Sequence, residues 1–400
     1  MKTTSKIIIG NTLDVMPQMP EKSIHTAITS PPFFRLRSYL PDDHPMKKHE
    51  IGLEKTLPEF IEKLVKVFAE VHRVLRDDGT LWIEIGDSYA NDGKWGGKSG
   101  NKNYTSDLGG VSREKKETGF PAKSLMDIPW RLAFALQDWG WVLRDDIIWH
   151  KTNAMPSSQT DRTTKAHSYV FTLTKKPHYY YDLIAIQEPA AYDGRKAEEF
   201  KGSKKYKGEA VVPGTGNNDY LSDNHPRWQK NEDGERVRNK RSVWSIATAN
   251  LSEAHFASFP EKLVEPMILA GTSAHGVCAD CGAPYKRIYT KETDWQERKA
   301  NGAGAGNVGV SDTYQNNVHG SNNTHHYLGG GEIKTLGWQK TCECETVEIV
   351  PATVLDPFAG SGTTGIVALK HKRNFIGIDL SDEYEIISSK RTKDLQVNLF

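Results

Sequence analysis

Ser30-Pro31-Pro32-Phe33, at the end of the apolar stretch Ile24–Thr29, sets a hydroxyl, two tertiary amides and an aromatic ring in consecutive positions. The two prolines fix φ and remove two backbone donors, so the loop offers bare carbonyl oxygens beside one hydroxyl. Such a surface suits a flat base bearing an amino group. The exocyclic amines of cytosine and adenine are poor nucleophiles, because the nitrogen lone pair is delocalised into the ring. Two acceptors gripping the N–H bonds, Ser30 and the Pro31 carbonyl, draw that nitrogen towards a tetrahedral, reactive geometry, with Phe33 stacked on the ring. Taken alone, the tetrapeptide also reads as a strand running into a Pro-Pro turn with a core Phe.

A second group with chemistry is Asp356-Pro357-Phe358-Ala359-Gly360-Ser361-Gly362-Thr363-Thr364. A strand end followed by Gly-x-Gly at the mouth of a helix lets the backbone approach a ligand closely. No Gly-Lys-Ser/Thr follows, so this is not a phosphate loop, and the glycines miss the Gly-x-Gly-x-x-Gly dinucleotide spacing. A nucleoside without phosphates fits better. The strand Asn374–Asp379 ends in a carboxylate that can accept both ribose hydroxyls.

The chain has four cysteines, Cys278, Cys281, Cys342 and Cys344, all in one region. Cys-x-x-Cys facing a second cysteine pair is how four thiolates close a structural zinc, although the second pair here has one spacer rather than two. His275, His319, His325 and His326 are substitute ligands in the same stretch. The alternative is four unliganded thiols.

The elements around these groups alternate. Lys6–Ile9 followed by Gly10-Asn11 reads as strand and turn, and Ile24–Thr29 as a second strand. Leu57, Phe60, Leu64, Val67, Phe68, Val71 and Leu75 step by three and four, which predicts a helix. Asp77-Asp78-Gly79 stops it, and Thr80–Gly86 is a buried strand. A helix from 125 to 139, a strand from 141 to 149, and a strand–turn–helix–strand series from 353 to 379 follow. Alternation of this kind implies a mostly parallel sheet covered on both faces. Tyr169–Thr174, Lys175–His178 and Tyr179–Tyr181 predict a hairpin, hence an antiparallel edge. Residues 91–120, 191–241 and 296–335 are polar and aperiodic, reading as mobile loops or insertions.

The 400 residues are 37% hydrophobic and 26% charged, enough for a large core. No apolar window is long enough to span a bilayer and no signal-peptide core follows Met1, so a cytoplasmic protein with no membrane contact is expected. Net charge is +1, which excludes a global basic field. Any nucleic-acid contact must use local clusters, such as the six basic residues between Arg195 and Lys207 and the six between Arg227 and Arg241.

Taken together, these residues resemble the S-adenosyl-L-methionine-dependent amino-methyltransferases of DNA, of N4-cytosine and N6-adenine type. The motif order is permuted, with the catalytic loop before the cofactor loop. TSPPF at 29–33 resembles the family's catalytic motif, DPFAGSGTT at 356–364 its cofactor motif and FIGIDLS at 375–381 its ribose strand. GTLWIEIGDSY at 79–89, WVLRDDIIWHK at 141–151 and KAHSYVFTLTKKPHYYYD at 165–182 are similar to intervening strands. His255–Pro260, leading into a helix at 263–269, is similar to the helix over the methionine end of the cofactor.

The resemblance implies a Rossmann-like α/β fold with a mostly parallel seven-stranded sheet, an antiparallel edge hairpin and a small cysteine-containing insertion. Residues 1–190 would form the catalytic half and 349–400 the cofactor-binding half. Between them lie a target-recognition segment (191–250), a cofactor-covering helix (251–275) and a four-cysteine insertion (276–348). It assigns Ser30, Pro31, Pro32 and Phe33 to the target amine. Asp356, Phe358, Gly360, Ser361, Gly362, Thr363 and Thr364 are assigned to the cofactor, Asp379 to its ribose and Asn11 to the adenine end, where the family often has Asp. Ser-Pro-Pro-Phe is found mostly in N4-cytosine enzymes, with N6-adenine as the alternative and an inactive DNA-binding module as a remote one. No reaction of this type needs a covalent cysteine. Double-stranded DNA is the implied partner, its base flipped into the pocket, alongside a cognate restriction endonuclease.

Overall fold

A computed structural model describes residues 1–36, 38–90, 119–190, 229–249, 259–293 and 331–397. In chain order the strands are β1 (Ser5–Ile9), β2 (Ile24–Thr29), β3 (Leu75–Ile85), β4 (Val142–His150), β5 (His167–Thr174), β6 (Glu188–Pro189), β7 (Gln229–Lys230) and β8 (Arg236–Arg238). They continue as β9 (Val243–Ser245), β10 (Val277–Cys278), β11 (Lys286–Thr293), β12 (Gly331–Gln339), β13 (Ile349–Val350), β14 (Thr353–Asp356) and β15 (Asn374–Asp379). The helices are α1 (Thr12–Val15), α2 (Leu57–Val74), α3 (Ile128–Trp139), α4 (Glu261–Gly271), α5 (Thr363–Lys370) and α6 (Asp382–Val397).

The first compact unit comprises residues 1–185, 241–286 and 340–400. Its sheet has the order β1-β15-β14-β2-β3-β5-β4-β9. Five of the neighbouring pairs are parallel, and β5 is the one strand running antiparallel, against β3 on one side and β4 on the other. The sheet therefore has eight strands, not seven. The extra one, β9, is a three-residue segment on the edge of β4, too short to leave a period in the sequence. The expected hairpin is also redrawn: its arms are β4 and β5, and Tyr179–Tyr181 forms no strand. The Tyr180 N–H is instead bound to the Asp78 carbonyl at 2.8 Å, and the Tyr181 ring stacks on Trp82.

Helix α2 forms where the sequence periodicity places it. Thr56 and Glu59 close a capping box at its start, and Leu57, Phe60, Leu64, Val67, Phe68 and Val71 all face the core. β2 is buried along its whole length although it carries His25, Thr26 and Thr29. Each of these polar groups has a partner on a neighbouring segment, as burial requires. His25 Nδ1 accepts the Thr353 N–H at 3.0 Å, so its proton sits on Nε2 and is donated to the Gly282 carbonyl. Burial keeps that ring neutral, holding it down at about 4. Thr26 and Thr80 share a hydroxyl contact of 2.9 Å, to which the Trp82 indole also donates.

The second unit, residues 186–240 and 287–339, holds a five-stranded sheet of order β11-β12-β7-β8-β6. Within it Arg238 pairs with Glu188 at 2.8 Å and Arg287 lies over the Trp338 ring. The 91–118 part of the expected loop, residues 191–228 of the expected recognition segment, His255–Ser258 and most of 296–335, with His319, His325 and His326, lie outside the described residues. Among the described residues no helix is long and apolar enough to cross a membrane.

Gly271, the last residue of α4, packs where a Cβ would stand 2.6 Å from the Thr80 hydroxyl and 2.9 Å from that of Thr26. Gly271→Ala is therefore expected to destabilise the protein by about 1–3 kcal/mol through overpacking, read as a lower midpoint of denaturant unfolding.

Candidate active site

Strands β14 and β2 are hydrogen-bonded neighbours, with Val354 opposite Thr26 and Leu355 opposite Ala27. From β14 the chain moves through α5 to β15 on one side, and from β2 through α2 to β3 on the other. A parallel sheet that diverges in this way opens a crevice at the carboxyl ends of the two strands. The Ser-Pro-Pro-Phe loop leaves the end of β2 and the Gly-rich turn leaves the end of β14, so both emerge at that crevice.

Asp356 joins them. Its Oδ1 accepts the Thr29 hydroxyl at 2.7 Å and the Phe358 N–H at 3.1 Å, and its Oδ2 accepts the Thr364 hydroxyl at 2.7 Å. The side chain is wholly buried, and that burial pushes its carboxyl up to about 6. Its place is behind the crevice wall, together with Thr364. Gly362 also lies behind the wall: at φ 77° it caps α5, and a Cβ there would overlap Ser388.

The crevice itself is lined by Asn11, Thr12, Ser30 through Phe33, Glu84, Phe358, Gly360, Ser361, Thr363 and Asp379, with Trp149 and Lys151 on a further side. Asp379 receives the Gly360 N–H at 2.8 Å and the Ser381 N–H at 2.9 Å, one on each oxygen, and burial raises its pKa. The Thr363 hydroxyl is buried at the wall with no hydrogen-bond partner among the described residues. Gly360 is left-handed at φ 49°, and the space beside it where a Cβ would stand is open. Asn11 lies at the wall but is used as a helix cap: its Oδ1 faces the Leu13 N–H and its Nδ2 donates to Asp14 at 3.0 Å. Thr12 donates to the Pro357 carbonyl at 2.7 Å, tying this turn to the Gly-rich one.

On the other side, Ser30 Oγ donates to Glu84 Oε2 at 2.7 Å. Glu84 is 4% exposed, and its second oxygen, Oε1, is buried with no hydrogen-bond partner among the described residues. Because the Ser30 proton is directed at Glu84, the serine lone pairs are left as acceptors. Pro31 is buried, and the Phe33 ring lies against Gly86, where a Cβ would come within 3.0 Å of it. Sequence reading missed Glu84. The available signal was a carboxylate inside the continuous apolar strand Leu81-Trp82-Ile83-Glu84-Ile85, which has to be paired.

At a third place, the four cysteine sulfurs lie within 4.8 Å of one another. Cys278 is buried, Cys342 and Cys344 are half-buried and Cys281 is exposed.

A family profile described as DNA methylase matches residues 24–282 and 348–390. The chain is 31% identical over 395 residues to the type II methyltransferase M.XycI of Xanthomonas campestris pv. cyanopsidis, covering 99% of this chain and 90% of that protein. It is 31% identical over 390 residues to the type II methyltransferase M.Cfr9I of Citrobacter freundii, covering 98% and 88%. Among solved structures, PvuII DNA methyltransferase (cytosine-N4-specific) aligns at 16% identity with a TM-score of 0.49, covering 100% of this chain and 93% of that one.

The buried Asp356 gives the site a testable pH signature. A carboxyl raised in the folded state binds its proton more tightly there than when unfolded, so its contribution to stability is fully present at low pH and is lost as pH rises. Measured against Asp356→Asn, which does not titrate, the wild-type advantage is expected to shrink by roughly 3 kcal/mol between pH 4 and 6 and then level off, from a shift of about two pH units at 1.36 kcal/mol each. Paired denaturant titrations across that range check it.

Proposed function

Because the chain belongs to the DNA methylases of the N4/N6 amino-methyltransferase family, we propose that it methylates the exocyclic N4 amine of cytosine at a specific site in duplex DNA, with S-adenosyl-L-methionine as donor. The observation that carries this reading is the Ser30–Glu84 hydrogen bond at the floor of the crevice, which turns the serine into an acceptor facing the target.

The crevice suits that donor. An unpaired buried hydroxyl on Thr363, the carboxylate of Asp379, the apolar face of Phe358 and open space at Gly360 match an amino acid joined to a nucleoside. When bound, S-adenosyl-L-methionine supplies a methyl group on a sulfonium, with a neutral thioether as leaving group. Asp379 would accept ribose hydroxyls, and Thr363, Gly360 and Ser361 would border the methionine end. Asp356, Gly362 and Thr364 would act from behind by fixing the turn. Asn11, committed to capping α1, would present its edge to the adenine rather than a free acceptor.

Ser30 Oγ and the Pro31 carbonyl would grip the two N–H bonds of the amine, concentrating its lone pair on nitrogen. No backbone donor from Pro31 or Pro32 competes for those acceptors. Once the nitrogen is methylated, one N–H proton must leave it. Ser30 takes that proton while passing its own to Glu84, whose carboxylate ends the reaction protonated. Phe33 stacks on the base and Gly86 makes room for the ring. Cytosine is favoured over adenine by the serine at the first position of the motif.

The target base must leave the duplex to reach this floor, so the DNA is held elsewhere by phosphate contacts. The basic residues between Arg195 and Lys207 and between Arg227 and Arg241 are the candidates, and the unit containing 186–240 and 287–339 is the proposed target-recognition part. The relatives are type II methyltransferases, which supports a cognate restriction endonuclease as the functional partner.

Expression in a host lacking DNA methylases, followed by mass spectrometry of the nucleosides, is expected to give N4-methylcytosine. N6-methyladenine would transfer the assignment to adenine, and an unmodified genome with folded protein present would overturn the reading. Ser30→Ala is expected to lower the methyl-transfer rate by about 10²-fold or more while leaving S-adenosyl-L-methionine affinity nearly unchanged by calorimetry. Glu84→Gln keeps an acceptor for the serine hydroxyl but cannot take up the proton, so its loss should fall on kcat rather than on KM.

A further inference from the structure

We propose that Cys278, Cys281, Cys342 and Cys344 bind one zinc ion, and that this centre is a structural strut fastened to the ends of β2 and β14 opposite those that carry the active site. The four thiols come from two segments far apart in sequence, yet all their sulfurs lie within 4.8 Å of one another. A tetrahedral zinc with Zn–S bonds of ~2.3 Å sets its sulfurs about 3.8 Å apart, so closing on the ion requires only a small contraction. Four converging sulfurs form a donor set that suits a closed, soft-ligand site with no open position for catalysis.

The first pair is built as a knuckle. The Gly282 N–H returns to the Cys278 carbonyl at 2.8 Å, and the Cys278 N–H binds the Ala283 carbonyl at 2.9 Å. Gly282 completes the turn at φ 70°, and a Cβ there would meet the Arg76 guanidinium at 2.9 Å. The second pair is tied to the first by the Thr341 hydroxyl on the Pro284 carbonyl at 2.7 Å, and Lys340 gathers the Cys344 and Thr346 carbonyls. Beside them β10 and β13 pair, Cys278 opposite Ile349, and close the two stems of the excursion from the sheet.

Two hydrogen bonds fasten the knuckle to that sheet. Arg76, at the start of β3, donates to the Cys281 carbonyl at 2.6 Å while Asp78 holds its other edge in a two-point ion pair. His25 on β2 donates to the Gly282 carbonyl and accepts from Thr353 on β14. The backbone that carries the first two thiols is thus bonded directly to β3 and β2, and through His25 to the start of β14. Zinc would lock this junction by joining both stems, and its binding energy would add to folding stability.

The test uses the full chain purified in chelator-free buffer. Elemental mass spectrometry is expected to find about one zinc per chain, and Cys281→Ser and Cys344→Ser to lose it. Cobalt(II) in place of zinc should give the thiolate charge-transfer and d–d bands of a tetrahedral site, a readout that does not depend on activity. Alkylation in denaturant with chelator and without reductant should label all four cysteines. Stripping the zinc should lower the unfolding midpoint of the wild type, and adding zinc back should restore it. Metal-free protein, two disulfides in place of four labelled thiols, or a cobalt spectrum without tetrahedral thiolate bands would each overturn the site. An unchanged midpoint on removal of bound zinc would overturn the strut.

Discussion

A carboxylate removed from water costs several kcal/mol unless its oxygens are met by donors, and Asp356 recovers that cost with hydroxyls from two different elements and one backbone N–H. Because those hydroxyls belong to Thr29, the last residue of β2, and Thr364, in the first turn of α5, meeting the charge fixes the Ser-Pro-Pro-Phe loop relative to the Gly-rich turn. The two loops that border the crevice are thereby referenced to one buried group. The cost of burial is not fully cancelled, which is why the carboxyl is held at about 6.

The floor of the crevice follows the opposite logic. Where both oxygens of Asp356 are met by donors, Glu84 has one oxygen engaged by Ser30 and the other buried without a partner among the described residues. A buried acceptor left unpaired is a standing cost, and it persists where something else normally meets it. The two prolines of the loop carry no backbone N–H, and Phe33 packs on Gly86 two residues along from Glu84. Ser30, Pro31 and Glu84 thus bring acceptors to one stretch of the crevice lining, which includes none of the four cysteines.

Much of this was legible in the residues because the fold relies on local rules. The three-and-four apolar spacing of α2, the prolines after β2 and the Gly-x-Gly after β14 each act over a few positions, and each is written in composition and spacing. The parts that were not legible depend on partners distant in the chain. Asp356 reads as a ligand contact by its place in the motif, and only the approach of Thr29 shows it to be a bracket. Asn11 reads as a free acceptor until α1 takes it as a cap. Glu84 is hidden in an apolar strand, its meaning set by Ser30, just past the end of the neighbouring strand β2. The Tyr179–Tyr181 run has the composition of a strand, but Trp82 and the Asp78 carbonyl capture it first. β9 is three residues long and gains its place only from the open edge of β4.

Parallel strands deliver their carboxyl ends to one side of a sheet, so the order in which the two loops occur along the chain is irrelevant provided β2 and β14 are neighbours. That adjacency is secured twice. At one end His25 on β2 accepts the N–H of Thr353, the first residue of β14, and at the other Thr29 donates to Asp356, the last. His25 and Thr29 are four residues apart on one strand and so project from the same face. Since one fastening would leave the pair free to splay at the other end, the two together convert a short ladder of hydrogen bonds into a rigid plank. A chain held this way can leave the sheet after β9, run through the whole stretch between β9 and β14, and return without disturbing the register on which the active site depends.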